Sequence, residues 1–415
     1  MIMKEENILY VGVDVGSKVN VASFLDRRDK EVIPPWQFAN NQTGAEELEE
    51  KIIKLCSEKG FSPVRIGTEA TSFYDFHLAD FLAESKELNK FKIEVYRFNP
   101  RIIHHFKKIL KDLEKTDFID ALVIAKRLKF GNLPCPYHCL KDYLPLQRLT
   151  RYRYHLIKEI VREKGFLLTH LFLKNSELAT KRPIKRVLGS TSRAIIHKYL
   201  SKDEIAKASL EELTELITKA SKNRYQDPQV IAKLVKQTSR ESYRIREGLA
   251  NSLNLVIVSC FRSIRSYQQS LKEINKAIED QLKGFGQTLT SVPGIGSILA
   301  AGIIAEIGDV KRFHSADALA KYAGLWWPRK QSGEFEAEER RLNKSGNKYL
   351  RYYLVEAASS MRVHNEEYRR FYQKKYQEAV SHHHKRALVL TARKLVRLVF
   401  SLLKTKQLYQ KEKQQ

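Results

Sequence analysis

The chain has 415 residues, with 74 Lys plus Arg against 48 Asp plus Glu and a formal net charge of +26. Its composition, 43% hydrophobic and 29% charged, is that of a globular protein long enough for two or three domains. The charge excludes an ordinary acidic metabolic enzyme and indicates a polyanionic partner, either nucleic acid or an anionic membrane. The four Cys do not suggest a disulfide framework.

The sequence argues against a membrane partner. The longest apolar stretch, residues 298–307, is interrupted by Gly302 and Glu306 and is far shorter than a spanning helix. The first residues lack the charged start and apolar core of a signal peptide. We therefore expect a cytoplasmic protein that acts on nucleic acid.

The first 130 residues alternate between strand and helix patterns. Residues 8–39 contain three short β-prone runs, with a polar turn at residues 26–29. The patterns that follow are helix, strand, helix, strand and helix, at residues 43–58, 64–68, 73–85, 91–98 and 117–130. This order predicts an α/β layer architecture.

The rest of the chain is predicted to be all-α. A proline-bearing linker occupies residues 131–145, and apolar residues at helical spacing from 249 to 282 predict a coiled-coil seam or a buried bundle face. The predicted domains are therefore an α/β domain at 1–132, a helical or coiled-coil domain at 141–286 and a mostly helical domain at 287–415.

Four acidic residues stand where their side chains can converge. Asp14 ends the first strand and Glu69 follows the strand at 64–68. Asp117 and Asp120 share one helix face, where two like charges are unfavourable without a cation. An all-oxygen site of this kind suits Mg²⁺, and two such ions can serve phosphodiester chemistry.

Each of these residues also has a simpler interpretation. Asp117 fits a helix start, where the helix dipole favours an acid. The Gly-Val-Asp-Val-Gly context of Asp14 is also typical of the phosphate loop of an actin-like or sugar kinase. Taken together in a basic chain, the four acids favour a metal site.

The last domain carries two further motifs. Residues 292–296 resemble a helix–hairpin–helix turn, in which Gly294 and Gly296 would let backbone N–H groups approach a phosphate. A tight interhelical turn explains them equally well. The run from 321 to 351 contains a Ser-Gly pair at Ser332 among basic residues that could bind nucleic acid. These are Arg329, Lys330, Arg340, Arg341, Lys344, Lys348 and Arg351.

Residues 11–17, 67–71 and 115–121 resemble the three blocks of the DEDD-type transposases of the "one-ten" insertion-sequence family, and the run from 321 to 351 resembles their second domain. The resemblance implies an RNase H-like (RuvC-like) N-terminal domain. It also implies a catalytic set of four metal ligands that hold two Mg²⁺ ions, with Ser332 as the nucleophile. The four ligands are Asp14, Glu69, Asp117 and Asp120. From the residues alone Ser332 is better explained as a turn residue before Gly333, and it is the resemblance that makes it the candidate nucleophile, with Ser345 as the second choice.

The resemblance further implies a transposase that cuts and rejoins donor and target DNA under the guidance of a noncoding bridge RNA. We expect a homodimer or homotetramer in a bacterial cytoplasm, at the nucleoid when bound to DNA. Three alternatives stay open. They are a metal-dependent, Holliday-junction-type endonuclease without a covalent intermediate, an actin-like kinase, and an inactive DNA-binding relative.

Overall fold

The computed structural model describes residues 7–70, 73–110, 116–184, 187–199, 201–328, 331–332, 335–336, 342–343 and 345–410. It describes only the backbone of residues 138–140, 331, 332, 335 and 336. The chain divides into two compact units. One comprises Met1–Leu144 and Ile307–Ser315, and the other comprises Pro145–Glu306 and Ala316–Gln415. The three-domain division remains a prediction.

The first unit is built on a mixed five-stranded sheet with the order β3-β2-β1-β4-β5. Its strands are β1 (Leu9–Val15), β2 (Val19–Leu25), β3 (Glu31–Ala39), β4 (Val64–Glu69) and β5 (Glu94–Phe98). Strand β2 runs antiparallel to both of its neighbours, whereas β1, β4 and β5 are mutually parallel. The predicted α/β architecture is therefore confirmed for this part of the chain.

Helices cover both faces of the sheet. They are α1 (Gln42–Lys59), α2 (Phe76–Glu84), α3 (Lys86–Asn89), α4 (Pro100–Ile109) and α5 (Asp117–Phe130). Helix α1 packs on one face through Leu48 and Ile52, both fully buried, and α5 packs on the other through Ile124 and Leu128. Each sheet face thus buries an apolar layer, as an α/β fold requires.

Helix α4 was missed by the sequence prediction, which ended the fifth strand correctly at Asn99-Pro100 but assigned no helix between that point and residue 117. The Asn99 side chain accepts a hydrogen bond from the Arg101 N–H at 2.9 Å, and Pro100 occupies the first helical position. Asparagine at the N-cap followed by proline is a helix start. Helix α4 places a basic, amphipathic element beside α5.

The second unit contains a long helical arm formed by α6 (Leu144–Lys174) and α12 (Glu247–Leu282). Arg153 Nε donates to Asn275 Oδ1 at 2.9 Å, and Leu167 and Phe261 share one apolar cluster, so the two helices run antiparallel. Five short helices lie between them in sequence and share that cluster. They are α7 (Ser176–Lys181), α8 (Ser190–Lys198), α9 (Lys202–Lys207), α10 (Leu210–Ser221) and α11 (Pro228–Glu241).

The remaining elements of this unit are mostly helical. They are α13 (Ser297–Ile307), α14 (Ala316–Tyr322), β6 (Gln331–Ser332), β7 (Phe335–Glu336), α15 (Lys348–His364), α16 (Glu366–Gln377) and α17 (His383–Thr405). Tyr353 of α15 is fully buried, and its hydroxyl donates to the Thr150 carbonyl at 2.7 Å. A Cβ on Gly302 would lie 2.3 Å from the Tyr353 ring, so α13 can pack here only with glycine. In the described part of the chain, no helix has the length and apolar character needed to cross a membrane.

Candidate active site

Asp14 and Glu69 stand near the carboxyl ends of two neighbouring parallel strands, β1 and β4. The register pairs Gly12 with Gly67, and each acid lies two residues further along its strand. Because side chains alternate along a strand, both carboxylates share a face with those glycines. A Cβ on Gly12 would lie 2.2 Å from the Ala121 carbonyl oxygen, so α5 covers this face. The two carboxylates therefore lie on the α5 side of the sheet.

The first turn of α5 supplies the other two predicted acids. Thr116 caps the helix, and its hydroxyl accepts a hydrogen bond from a first-turn N–H at 3.3 Å. Asp117 and Asp120 follow on one helix face. Since α5 crosses β1 at Ala121, the turn before it lies near the carboxyl end of that strand, where Asp14 stands.

The pKa of the Asp14 carboxyl reflects the closeness of the other three acids. Burial is the largest cause that raises the pKa of the Asp14 carboxyl to about 6. The charges of Asp120, Asp117 and Glu69 raise it further, in that order, while the ammonium of Lys107 acts in the opposite direction. Carboxylates that repel one another at a partly buried position form a site that favours a cation.

Lys107, on α4, is a positive group at this site that the sequence analysis missed. Its ammonium forms an ion pair with Asp120. Among the described residues, no three acidic, histidine or cysteine side chains are close enough together to hold a metal ion. The sequence signal that could have indicated Lys107 is Asn99-Pro100, the start of the helix that carries it.

A second missed group holds the ends of β4 and β5 together. The Asp75 carboxylate is fully buried and accepts hydrogen bonds from Arg97 Nε and Nη2 at 2.5 and 2.7 Å. Thr68, the neighbour of Glu69, donates to the same carboxylate at 3.2 Å. A bidentate, charge-assisted pair fixes geometry strongly. We infer that Asp75 and Arg97 position the strand end that carries Glu69.

Ser332 lies in the short hairpin of β6 and β7, where its backbone pairs with Phe335. Its side chain is outside the described part of the structure, as are five of the basic residues predicted to bind nucleic acid. Those five are Arg329, Lys330, Arg340, Arg341 and Lys344. Their roles remain predictions.

The described backbone at the base of this hairpin is tightly held. The Asn343 N–H donates to the Trp326 carbonyl at 3.0 Å in an isolated β-bridge. A Cβ on Gly346 would lie 2.3 Å from the backbone nitrogen of Gly324, so only glycine permits this approach. The segment that carries Ser332 is therefore anchored on both sides.

A buried ion pair reinforces this base. Glu306 is 1% exposed and accepts hydrogen bonds from Arg151 Nε at 2.7 Å and Nη2 at 2.8 Å. Asn347, which caps α15, donates to the same carboxylate at 2.7 Å. Removing one partner from such a pair generally costs about 3–5 kcal/mol. The network ties α6, α13 and the start of α15 together directly after the hairpin.

Two of the four described residues predicted to bind nucleic acid, Gly294 and Arg351, make structural contacts. Gly294 has a φ of +98°, and a Cβ there would lie 2.8 Å from the Met361 Cα, so packing explains this glycine. Gly296 faces open space before α13. Arg351 Nη1 donates to the Ala323 carbonyl at 3.2 Å, whereas Lys348 is exposed at the start of α15. Nucleic-acid binding by these four residues remains a prediction.

Two protein-family models match this chain. One, the DEDD transposase model of the IS110 type, matches residues 11–173, which include the four acids described above. The other, described as the transposase IS116/IS110/IS902 family, matches residues 286–373, which include Ser332. Together the two matches span more than half of the chain.

Individual relatives agree with these models. The transposase for insertion sequence element IS1111A of Coxiella burnetii is 31% identical over 28% of this chain and 30% of its own length. An uncharacterized 44.8 kDa protein of insertion element IS116 from Streptomyces clavuligerus is 23% identical over 74% of this chain and 76% of its own length. A 42 kDa protein of insertion element IS900 from Mycobacterium paratuberculosis is 22% identical over the same shares.

The two matched regions occur in the order that the sequence blocks predicted, one at each end of the chain. The four acids and the serine hairpin each fall inside one of them. The chain therefore belongs to the IS116/IS110/IS902 family of insertion-sequence transposases, enzymes that cut and rejoin DNA.

Proposed function

We propose that this chain cuts and rejoins DNA strands through a carboxylate site that holds divalent metal ions and through the hydroxyl of Ser332. The observation that carries the proposal is the electrostatic convergence of three acids on Asp14. The strand order, with three antiparallel strands followed by two parallel ones, supports an RNase H-like (RuvC-like) assignment for the first unit.

The carboxylates fit a divalent metal by their chemistry. All four candidate ligands, Asp14, Glu69, Asp117 and Asp120, are oxygen donors, as Mg²⁺ prefers. Two bound Mg²⁺ ions would activate an attacking oxygen and stabilise the leaving one. The raised pKa of Asp14 supports the proposal, because a cation between these groups relieves their repulsion.

Lys107 competes with such a metal for Asp120. We predict that Lys107→Gln raises the affinity of the protein for Mn²⁺ about fivefold, since removing a unit charge at a partly exposed carboxylate changes binding by about 1 kcal/mol. Isothermal titration calorimetry measures this without any DNA. Lys108→Gln is the matched control, because Lys108 is its exposed neighbour. Equal affinities in the two variants would contradict competition.

Ser332 would attack the phosphorus of the scissile phosphodiester. The Oγ–P bond forms as the bond to the leaving sugar oxygen breaks, and the serine proton passes to that oxygen. The resulting phosphoserine link preserves a phosphodiester for rejoining. Neighbouring cations would bind the scissile phosphate and offset developing charge, as such donors do in phosphoryl transfer. They are Arg329, Lys330, Arg340, Arg341, Lys344, Lys348 and Arg351.

We further propose that a noncoding bridge RNA guides the reaction and that the enzyme works at the nucleoid as a homodimer or homotetramer. The net charge of +26 supports simultaneous binding of RNA and DNA. The exposure of Leu249 and Leu255 on α12, at 50% and 72%, supports a contact between copies.

The RNA partner can be tested directly. Expressing the gene with its natural flanking DNA, purifying the protein and sequencing the bound RNA is expected to yield one discrete RNA from the flank. Random cellular RNA, or no RNA, would contradict guidance by RNA.

A further inference from the structure

A cavity of about 360 Å³ lies between α6, α8 and α12 in the second unit. We call it the α8 cavity. Its lining includes Lys164, Arg193 and Arg265, one from each of the three helices, and an apolar floor with Phe261 and Ile264. Apart from Lys164, these residues fall outside the regions that match the two family models. None of the lining residues belongs to the carboxylate set or to the serine hairpin.

The charges around the α8 cavity are unbalanced. Among the described residues that line it there is no carboxylate, and within that part of the structure Lys164, Arg193 and Arg265 form no ion pair. Three cations around one cavity repel one another unless an anion lies between them. Each of them can donate hydrogen bonds to a phosphate oxygen.

The surroundings of the cavity are also positive. Burial, followed by the charges of Arg193, Lys174 and Arg262, holds the pKa of His197 below its usual value. In addition, Gly189 at the N-cap of the nine-residue helix α8 supplies no side-chain cap. Both features favour an anionic ligand at this position.

The apolar floor of the cavity indicates a ligand with a flat apolar part in addition to its negative charge. Phe261 and Ile264 are each 7% exposed, and Leu188 completes the apolar part of the lining. A flat base can pack against such a surface, and base–aromatic contacts strengthen the binding of single strands without regard to sequence. The volume of about 360 Å³ lies within the usual range of small-ligand pockets.

We propose that the α8 cavity binds one unpaired nucleotide of a nucleic-acid strand. Its phosphate contacts Lys164, Arg193 and Arg265, and its base packs against the floor at Phe261. The nucleotide must be unpaired, because a base inside a duplex is stacked and cannot reach the floor. The proposal rests on a nucleic-acid substrate and on neither the metal ions nor Ser332.

The test compares two double variants of the full-length protein in EDTA, which prevents metal-dependent cleavage. Arg193→Gln with Arg265→Gln removes two cavity cations, and Lys272→Gln with Lys276→Gln removes two exposed cations elsewhere on α12. Fluorescence anisotropy measures binding of a 12-nucleotide RNA, the same sequence as single-stranded DNA, and a DNA duplex. Melting temperatures check that both variants fold like the wild type.

The cavity variant is expected to bind single strands about 100-fold more weakly, about tenfold for each lost phosphate contact, and to lose about 1.4 units of salt slope. The control should change by about threefold or less. Weakening confined to RNA or to DNA supports the proposal and identifies the strand. An effect equal to that of the control, or an equal effect on the duplex, would overturn it. The reaction at Ser332 is tested by a different measurement, formation of the covalent adduct. Nucleotide binding in the α8 cavity and catalysis by Ser332 can therefore be refuted independently.

Discussion

Replacing Asp14 by asparagine is expected to reduce DNA cleavage by about 10³-fold or more while stabilising the metal-free protein. The loss of activity follows from removing the carboxylate on which the other three acids converge. The gain in stability follows from the same convergence, since asparagine carries no charge for its neighbours to repel. A substitution that abolishes activity and stabilises the fold is typical of a site built to hold a cation.

The direction of the predicted change in stability follows from how the ionisation of Asp14 makes the free energy of unfolding depend on pH. The pKa of the Asp14 carboxyl is about 6 in the folded chain, against 3.8 for the free group. The folded state therefore binds more protons than the unfolded state in this window, and the free energy of unfolding falls as the pH rises from 3.8 to about 6. Asp14→Asn removes that loss. Because Asp14 is partly exposed, the gain at pH 7 is about 1 kcal/mol after allowance for solvent screening.

Urea unfolding in EDTA at pH 4.5 and pH 7 measures the difference, and a cleavage assay in Mg²⁺ measures the activity. Asp142→Asn is the control, because Asp142 is an exposed acid of the same unit away from the cluster. The proposed metal site would be contradicted if Asp14→Asn cleaved DNA as fast as the wild type. It would also be contradicted if Asp14→Asn and the wild type were equally stable at pH 7.

Replacing Ser332 by alanine is expected to lower the rate of DNA cleavage by about 10³-fold or more. The covalent protein–DNA adduct should no longer form. The carboxylate site is unchanged in this variant, so affinity for Mn²⁺ should match that of the wild type. Gel electrophoresis under denaturing conditions detects the adduct, and calorimetry measures the metal.

Ser345→Ala is the matched control for this experiment. Ser345 precedes Gly346 at the base of the same hairpin, and its backbone N–H donates to Asn343 Oδ1 at 2.9 Å, a bond that alanine preserves. Full activity is expected. If Ser332→Ala cleaved DNA normally, the enzyme would be a hydrolytic, structure-specific nuclease without a covalent intermediate.

The sheet and its carboxylates were accessible from the sequence because their signals are local. Alternating apolar residues marked β1 to β5, and acids that follow neighbouring parallel strands must stand side by side. The strand order alone was therefore enough to predict that Asp14 and Glu69 lie close together. The pairing of Gly12 with Gly67 places both residues on the face that α5 covers.

The remaining parts of the site depend on contacts between distant residues. Lys107 reaches Asp120 from α4, a helix whose proline start was interpreted as the end of a strand. Asp75 was counted inside a longer helix, whereas it lies before α2 and binds Arg97 of β5. The close packing of Gly294 on Met361, 67 positions away, has no signal in the local sequence. No local pattern encodes such pairings.

The most direct test of the central claim is mass spectrometry of the protein after reaction with a DNA substrate in Mg²⁺. The adduct is isolated under denaturing conditions and digested with nuclease and protease. We predict a nucleotide linked through phosphate to the peptide that contains Ser332, and no adduct from Asp14→Asn. Cleaved DNA with no phosphoserine peptide, or a link to another residue, would contradict catalysis by Ser332.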